Sequence, residues 1–361
     1  IMSNNHKINA LQFSLFIIFP IISFFSGIGF HNIIMISGVD AWISVIISFI
    51  LGFLILLLTI FLFNFEPDKN IHEKIKFIFG NIIGTIIDIV IDILIFIISI
   101  ISLYGICNFI VSQYLSETPF YIIALLLGVI TIYNISKNIE GISRVNIIML
   151  VIILFLSILS FISLIPKIDF SNIKPTLEYG INNPIMGGII LTLTNVVPIF
   201  SLLCIPKNQI IGYSKINKYL IIFYIFSYIF IFFITFKTIG VLGIYLTKAY
   251  QFPEYIVLRK INILDFFDKV ENIISVKWFF SSFSTLSLLI FYLEKSIKKR
   301  GNNIYFLSII TLSIILSSMV LFKNNTMFTN FIENIYPAVG LIVLLLFVFI
   351  YIFILIKRKK A

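Results

Sequence analysis

Two stretches of small and helix-interrupting residues lie inside long apolar runs: Ser23-Phe24-Phe25-Ser26-Gly27-Ile28-Gly29 and Thr194-Asn195-Val196-Val197-Pro198. Glycine and serine are weak helix formers, and Pro198 removes a backbone donor and crowds the carbonyl of Thr194. A helix interrupted in this way offers recognition rather than covalent chemistry. Freed N–H groups and a positive dipole end suit a carboxylate, while freed carbonyls suit an ammonium or another cation. Phe25, Ser26, Gly27, Gly29, Thr194, Asn195 and Pro198 are therefore candidate ligand-binding residues. Tyr104 and Asn108, one turn apart on a common helix face, join them as residues that either line a pocket or bond between helices.

Other reactive types are few. Asp88 and Asp92 fit a proton or cation site, but they precede the apolar run 93–111 near a helix start, where carboxylates complement the dipole. That structural role is the expectation. Ser281, Ser282, Ser284 and Thr285 could offer hydroxyls to a cation, and packing between helices is the simpler use. Cys107 and Cys204 have neither disulfide nor zinc spacing and are read as inert buried thiols. His6, His31 and His72 are scattered and form no ligand set, and no P-loop, GxSxG or HExxH pattern occurs. The chain is read as a non-enzyme that calls for no metal and no cofactor.

The elements that must position these residues are membrane helices. Of 361 residues 60% are hydrophobic and 12% charged, with a mean hydropathy of +1.12, far from the roughly 25% charged content of soluble domains. A hydrocarbon core about 30 Å thick needs about 20 helical residues, and lipid offers no partner to an open backbone. Unbroken Ile/Leu/Phe runs exclude the alternating pattern of a membrane barrel. Ten spans are predicted, at 8–33, 40–63, 82–112, 119–136, 144–166, 184–205, 217–243, 272–293, 303–322 and 335–356, the first read as a retained span. The two interruptions fall in spans 1 and 6, five spans apart, so the chain is read as one membrane domain of two repeats, about 8–166 and 184–356. With the N-terminus inside, 17 of the 26 Lys and Arg residues fall on inner segments, placing both termini in the cytoplasm. The net charge of +10 is mostly this topology signal, and no nucleic-acid partner is expected.

Several segments then carry a family resemblance: GVDAWIS at 38–44, SETP at 116–119, GISR at 141–144 after Glu140, and FPEYIVLRKINILDFFDKVE at 252–271, followed by Trp278. The longest of these is the most specific. In this order they resemble the spore germination B-subunit permease family, the membrane subunit of GerA-type germinant receptors, which is similar to amino acid-polyamine-organocation transporters. The resemblance implies an all-α five-plus-five inverted repeat with a site between broken spans 1 and 6. It also implies A and C subunits as partners, a spore inner-membrane location, and a small-molecule germinant, commonly an amino acid. Both a sensor and a secondary amino-acid transporter meet this description.

Each motif also has a plain physical use. Asp40 is expected to cap span 2 and Trp42 to anchor at the interface. Glu140 and Arg144 are expected to pair at i and i+4. The outer segment 244–271, with Phe252, Ile256, Ile263, Phe266 and Phe267, reads as an amphipathic lid or docking face.

Overall fold

The computed structural model describes residues 7–178, 180–261, 270–297 and 304–360. Among these residues, eight stretches are long and apolar enough to cross a membrane. The first, Ala10–Asn64, is two passes, parted at Gly38, whose φ of +58° ends the helix Phe30–Ser37. The 17-residue helix Phe120–Ser136 is apolar but shorter. Each of the ten expected spans thus has a helical counterpart: span 1 at 10–37, span 2 Ala41–Asn64, span 3 Asn81–Gln113, span 4 Phe120–Ser136, span 5 Asn138–Leu164, span 6 at 182–204, span 7 Ile216–Ala249, span 8 Val270–Ile297, span 9 Ile304–Leu321 and span 10 Tyr336–Lys360. The protein is an all-α, multi-pass membrane protein.

The polar segments sort to two ends, as alternating passes require. At one end Tyr213 donates to Asn64 (2.5 Å), and Lys207 N–H to the carbonyl of Pro67 (2.8 Å). At the other, Asp40 accepts from the N–H of Leu177, and Gln251 pairs with Asn325. The first is the inner end in the predicted topology.

Burial divides the spans into an inside and a lipid-facing outside. Every position from 13 to 25 in span 1 is buried, as befits a helix that is apolar all round. Buried positions make up 83% of the apolar window of span 8 and 72% of that of span 6, against 28% for span 5. Spans 1, 6 and 8 therefore form the interior. Span 8 packs on spans 1, 3 and 5, and span 6 on spans 1 and 2.

Three short elements close the ends. Two residues of strand, Ile8–Asn9 (β1), pair in parallel with Ile210–Ile211 (β2), tying the chain start to the segment after span 6. The helix Ile71–Phe79 lies between spans 2 and 3, begun by a capping box of Asn70 and Glu73 and ended at Gly80, with φ +81°. From it Lys74 donates to the last carbonyls of span 2, Leu62 (2.8 Å) and Phe63 (3.0 Å). At the outer end Pro253–Leu258 forms a short, mostly buried helix. Of the segment expected to form a lid, Ile263, Phe266 and Phe267 lie outside the described residues.

Candidate functional site

Both interruptions stand where the sequence places them, in a milder form than expected. Residues 25–29 make one turn of π-helix, and Phe24 and Phe30 on either side keep right-handed helical dihedrals. The wider turn re-pairs the N–H of Phe30 with the carbonyl of Phe25, so span 1 presents no open helix terminus to a ligand. Span 6 runs as α-helix to Asn195 and narrows to 3-10 turns from Val197 to Cys204, since Pro198 cannot bond back to Thr194.

The carbonyls at these changes of pitch are met by side chains. Tyr336 of span 10 donates to the carbonyl of Thr194 (2.8 Å), Trp278 Nε1 of span 8 to that of Ser23 (3.2 Å), and Asn195 Nδ2 to that of Ile21 (3.3 Å). Close approach explains both glycines. A Cβ on Gly29 would lie 2.5 Å from Asn195 Oδ1, and one on Gly27 2.6 Å from Cζ2 of Trp278. Gly27, Gly29, Ser26 and Asn195 are thus brought together where spans 1, 6 and 8 meet, and Phe25, Thr194 and Pro198 belong to the same two interruptions. Tyr104 and Asn108 face elsewhere. The Tyr104 ring packs on Phe120, Phe322 and Phe328, and Asn108 donates to Asn325 (2.8 Å). Phe328 also borders a small hollow beside Gly27.

Beside the bulge lies a cavity of about 20 Å³ lined by Ser26, Phe109, Phe252, Glu254, Tyr255, Leu258, Lys277 and Trp278. That is room for roughly one water. Its polar wall is an ion pair, Lys277 Nζ to Glu254 Oε1 at 2.5 Å, with both residues buried. Lys237 of span 7, also buried, lies in the same field and donates to Ser160 Oγ at 2.7 Å. Two lysines and one carboxylate therefore share this interior. Burial pushes the Glu254 carboxyl up, but the charges of Lys277 and Lys237 and hydrogen bonds from Lys277 and Ser26 more than offset this, holding it below the usual carboxylate range.

These charges are what a search for interrupted helices misses. Lys237 and Lys277 lie within spans 7 and 8, where an ionisable group is itself a functional signal. Glu254 stands inside the most specific motif, in the segment whose amphipathic pattern predicts a lid.

Asp40 makes no cap to span 2; its carboxylate accepts from the N–H of Leu177 (2.9 and 3.1 Å), pinning the outer loop after span 5. Glu140 and Arg144 do pair, at 2.5 Å. Ser282 bonds to Ser23 at 2.9 Å, a packing contact between spans 8 and 1. Both cysteines are buried and unbridged.

At the inner end the histidine reading is corrected. His72 Nδ1 lies 2.7 Å from Asp88 Oδ1 and 3.9 Å from Asp92 Oδ1. Asp88 sits two turns into its helix, beyond the first turn where the dipole acts. The turn at Gly80 folds the helix Ile71–Phe79 back on span 3 and brings together residues 16 apart in sequence.

A family model described as spore germination protein matches residues 7–329. The chain is also similar to spore germination protein XB of Bacillus anthracis, with 23% identity over 283 residues, covering 77% of this chain and 79% of that protein.

Proposed function

Since the chain belongs to the spore germination permease family, we propose that it is the membrane subunit of a germinant receptor and binds a small nutrient germinant, an amino acid, beside the bulge of span 1. One observation carries this reading: a buried Glu254–Lys277 pair on the wall of a cavity that also reaches Ser26. An amino acid brings a carboxylate and an ammonium of its own. Exchanging partners with Lys277 and Glu254 keeps every buried charge paired, which a burial this deep demands. The aromatic rings of Phe109, Phe252, Tyr255 and Trp278 supply the apolar contact for a side chain.

A cavity of about 20 Å³ admits no amino acid, so binding requires the helix Pro253–Leu258 to move outward. The ligand then stabilises a second conformation, and only its differential affinity for the two states drives the shift. In this reading the A and C subunits convert the shift into the germination response, the membrane is the spore inner membrane, and both termini are cytoplasmic. The two repeats, about 8–166 and 184–356, supply the two-state frame.

Net uptake by alternating access is a second reading. Closure at the inner end by β1 and β2 and at the outer end by Pro253–Leu258 favours it, because a transporter needs gates on both sides of its site. The test is one preparation in proteoliposomes given labelled amino acids, measured for binding and for flux. Saturable binding that Lys277→Met abolishes, without concentrative or exchange flux, is the result expected of the receptor. Flux with the same dependence on Lys277 would make the protein a transporter, and binding indifferent to Lys277 would sink the site.

A further inference from the structure

Three elements meet at the inner end with donors for a cation. The helix Ile71–Phe79 brings His72, span 3 brings Asp88 and Asp92, and span 8 brings Tyr292 and Ser296. One ligand atom from each of His72, Asp88 and Asp92 lies within 4.8 Å of the other two. The two carboxylates are arranged alike. Oδ1 of each faces His72 Nδ1, at 2.7 Å for Asp88 and 3.9 Å for Asp92. Oδ2 of each is engaged from outside, in Asp88 by Lys76 Nζ at 3.5 Å and in Asp92 by Ser296 Oγ. Outer partners that fix the second oxygen while the first converges with an imidazole are the usual support of a metal ligand.

An independent observation points into the same space. Tyr292 is fully buried, and its hydroxyl has no hydrogen-bond partner among the described residues. Its ring lies 4.7 Å from that of His72, and it lies in the field of Asp92 and Asp88. A buried hydroxyl without a partner is costly, and one on a ring packed against the imidazole and within the field of both carboxylates has an evident use as a further oxygen donor.

We propose that His72, Asp88 and Asp92 bind a divalent transition-metal ion of the zinc class, with the Tyr292 hydroxyl beside the fourth position. One imidazole and two carboxylates match that class, whereas magnesium and calcium take oxygen ligands. Tetrahedral bonds of about 2.0–2.2 Å set donors about 3.4 Å apart, so about His72 Nδ1 the Asp88 oxygen must open from 2.7 Å and the Asp92 oxygen close from 3.9 Å, a side-chain adjustment. His72 must coordinate as neutral imidazole through Nδ1, so the proton on that nitrogen leaves to the inner solution and Nε2 carries the remaining one. Lys76, about one-third exposed, is free to swing away as the ion takes over the neutralisation of Asp88. The bound ion would fasten the surface helix to spans 3 and 8.

The test uses the full chain, purified without a histidine tag, stripped with a chelator and titrated with Co²⁺, with Zn²⁺ as competitor. Saturable one-to-one binding seen in visible absorption is expected, weakened at least tenfold in His72→Gln and in Asp92→Asn and unchanged in His31→Gln. Asp92 is partly exposed, so its amide variant should fold. X-ray absorption of the zinc-loaded wild type needs no variant and should show nitrogen and oxygen ligation including one imidazole. No saturable binding, binding that survives both substitutions, loss in His31→Gln, or a zinc shell without imidazole would each overturn the proposal.

Discussion

Glu254→Ala is expected to destabilise the protein by about 3–5 kcal/mol, the cost of leaving a buried charge without its partner. The residue is 6% exposed, and its removal leaves Lys277 and Lys237, each 3% exposed, repelling one another in the interior. Lys277→Met in the same chain removes the repulsion and the orphaned Lys277 charge, and Lys237 keeps its hydrogen bond to Ser160 Oγ. The double variant should therefore melt close to wild type while showing no germinant binding. A double-mutant cycle on thermal unfolding in detergent reads the coupling directly. A single variant that melts like wild type, or a double variant that falls as far as the single, would show that the pair does not hold this interior together.

The second large effect is expected at Gly27. A methyl group there meets the Trp278 ring at 2.6 Å, and the ring cannot easily yield. It lies 4.3 Å from Phe109 and 5.5 Å from Phe252, and it holds the carbonyl of Ser23. Overpacking of this kind costs about 1–3 kcal/mol, so Gly27→Ala should weaken ligand response and Gly27→Leu should abolish it. Insertion should survive, because an added apolar side chain suits a membrane span. Trp278→Phe clears the contact at the cost of the bond to Ser23. Combined with Gly27→Ala it should recover part of the response when measured as dose-response normalised to membrane abundance. Failure to recover, with membrane abundance intact, would mean that the glycine serves the ligand rather than the tryptophan.

The spans were legible because lipid imposes one rule, an apolar helix of fixed minimum length, and their boundaries follow from it within a few residues. The interruptions were legible as composition, but not their form. Whether a glycine-rich turn opens or widens depends on what packs against it, and here Trp278, Asn195 and Tyr336 arrive from distant spans. Placement of Tyr104 and Asn108 depended on Asn325–Asn334, an outer helix whose docking no local pattern announces. His72 and Asp88 illustrate the same limit. A turn at Gly80 with φ +81° reverses the chain, and neighbours in space become strangers in sequence. The capping box of Asn70 and Glu73 did mark a helix before that turn and, read with its amphipathic pattern, would have placed His72 on the face turned toward span 3.

The seating of Trp278 gives the protein an optical reporter of its own. The chain has two tryptophans, and the other, Trp42 of span 2, packs edge-on to Phe232 of span 7, away from the bulge. In a Trp42→Phe background the intrinsic fluorescence comes from one indole, screened from water by Phe109 and Phe252 and bonded through its N–H to a backbone carbonyl. Its emission should be blue-shifted at rest. Outward movement of Pro253–Leu258 carries Phe252 with it and wets the ring, so an amino acid that opens the cavity should shift the emission to the red in proportion to occupancy. The conformational step could then be timed by stopped flow in the isolated subunit, without label or partner.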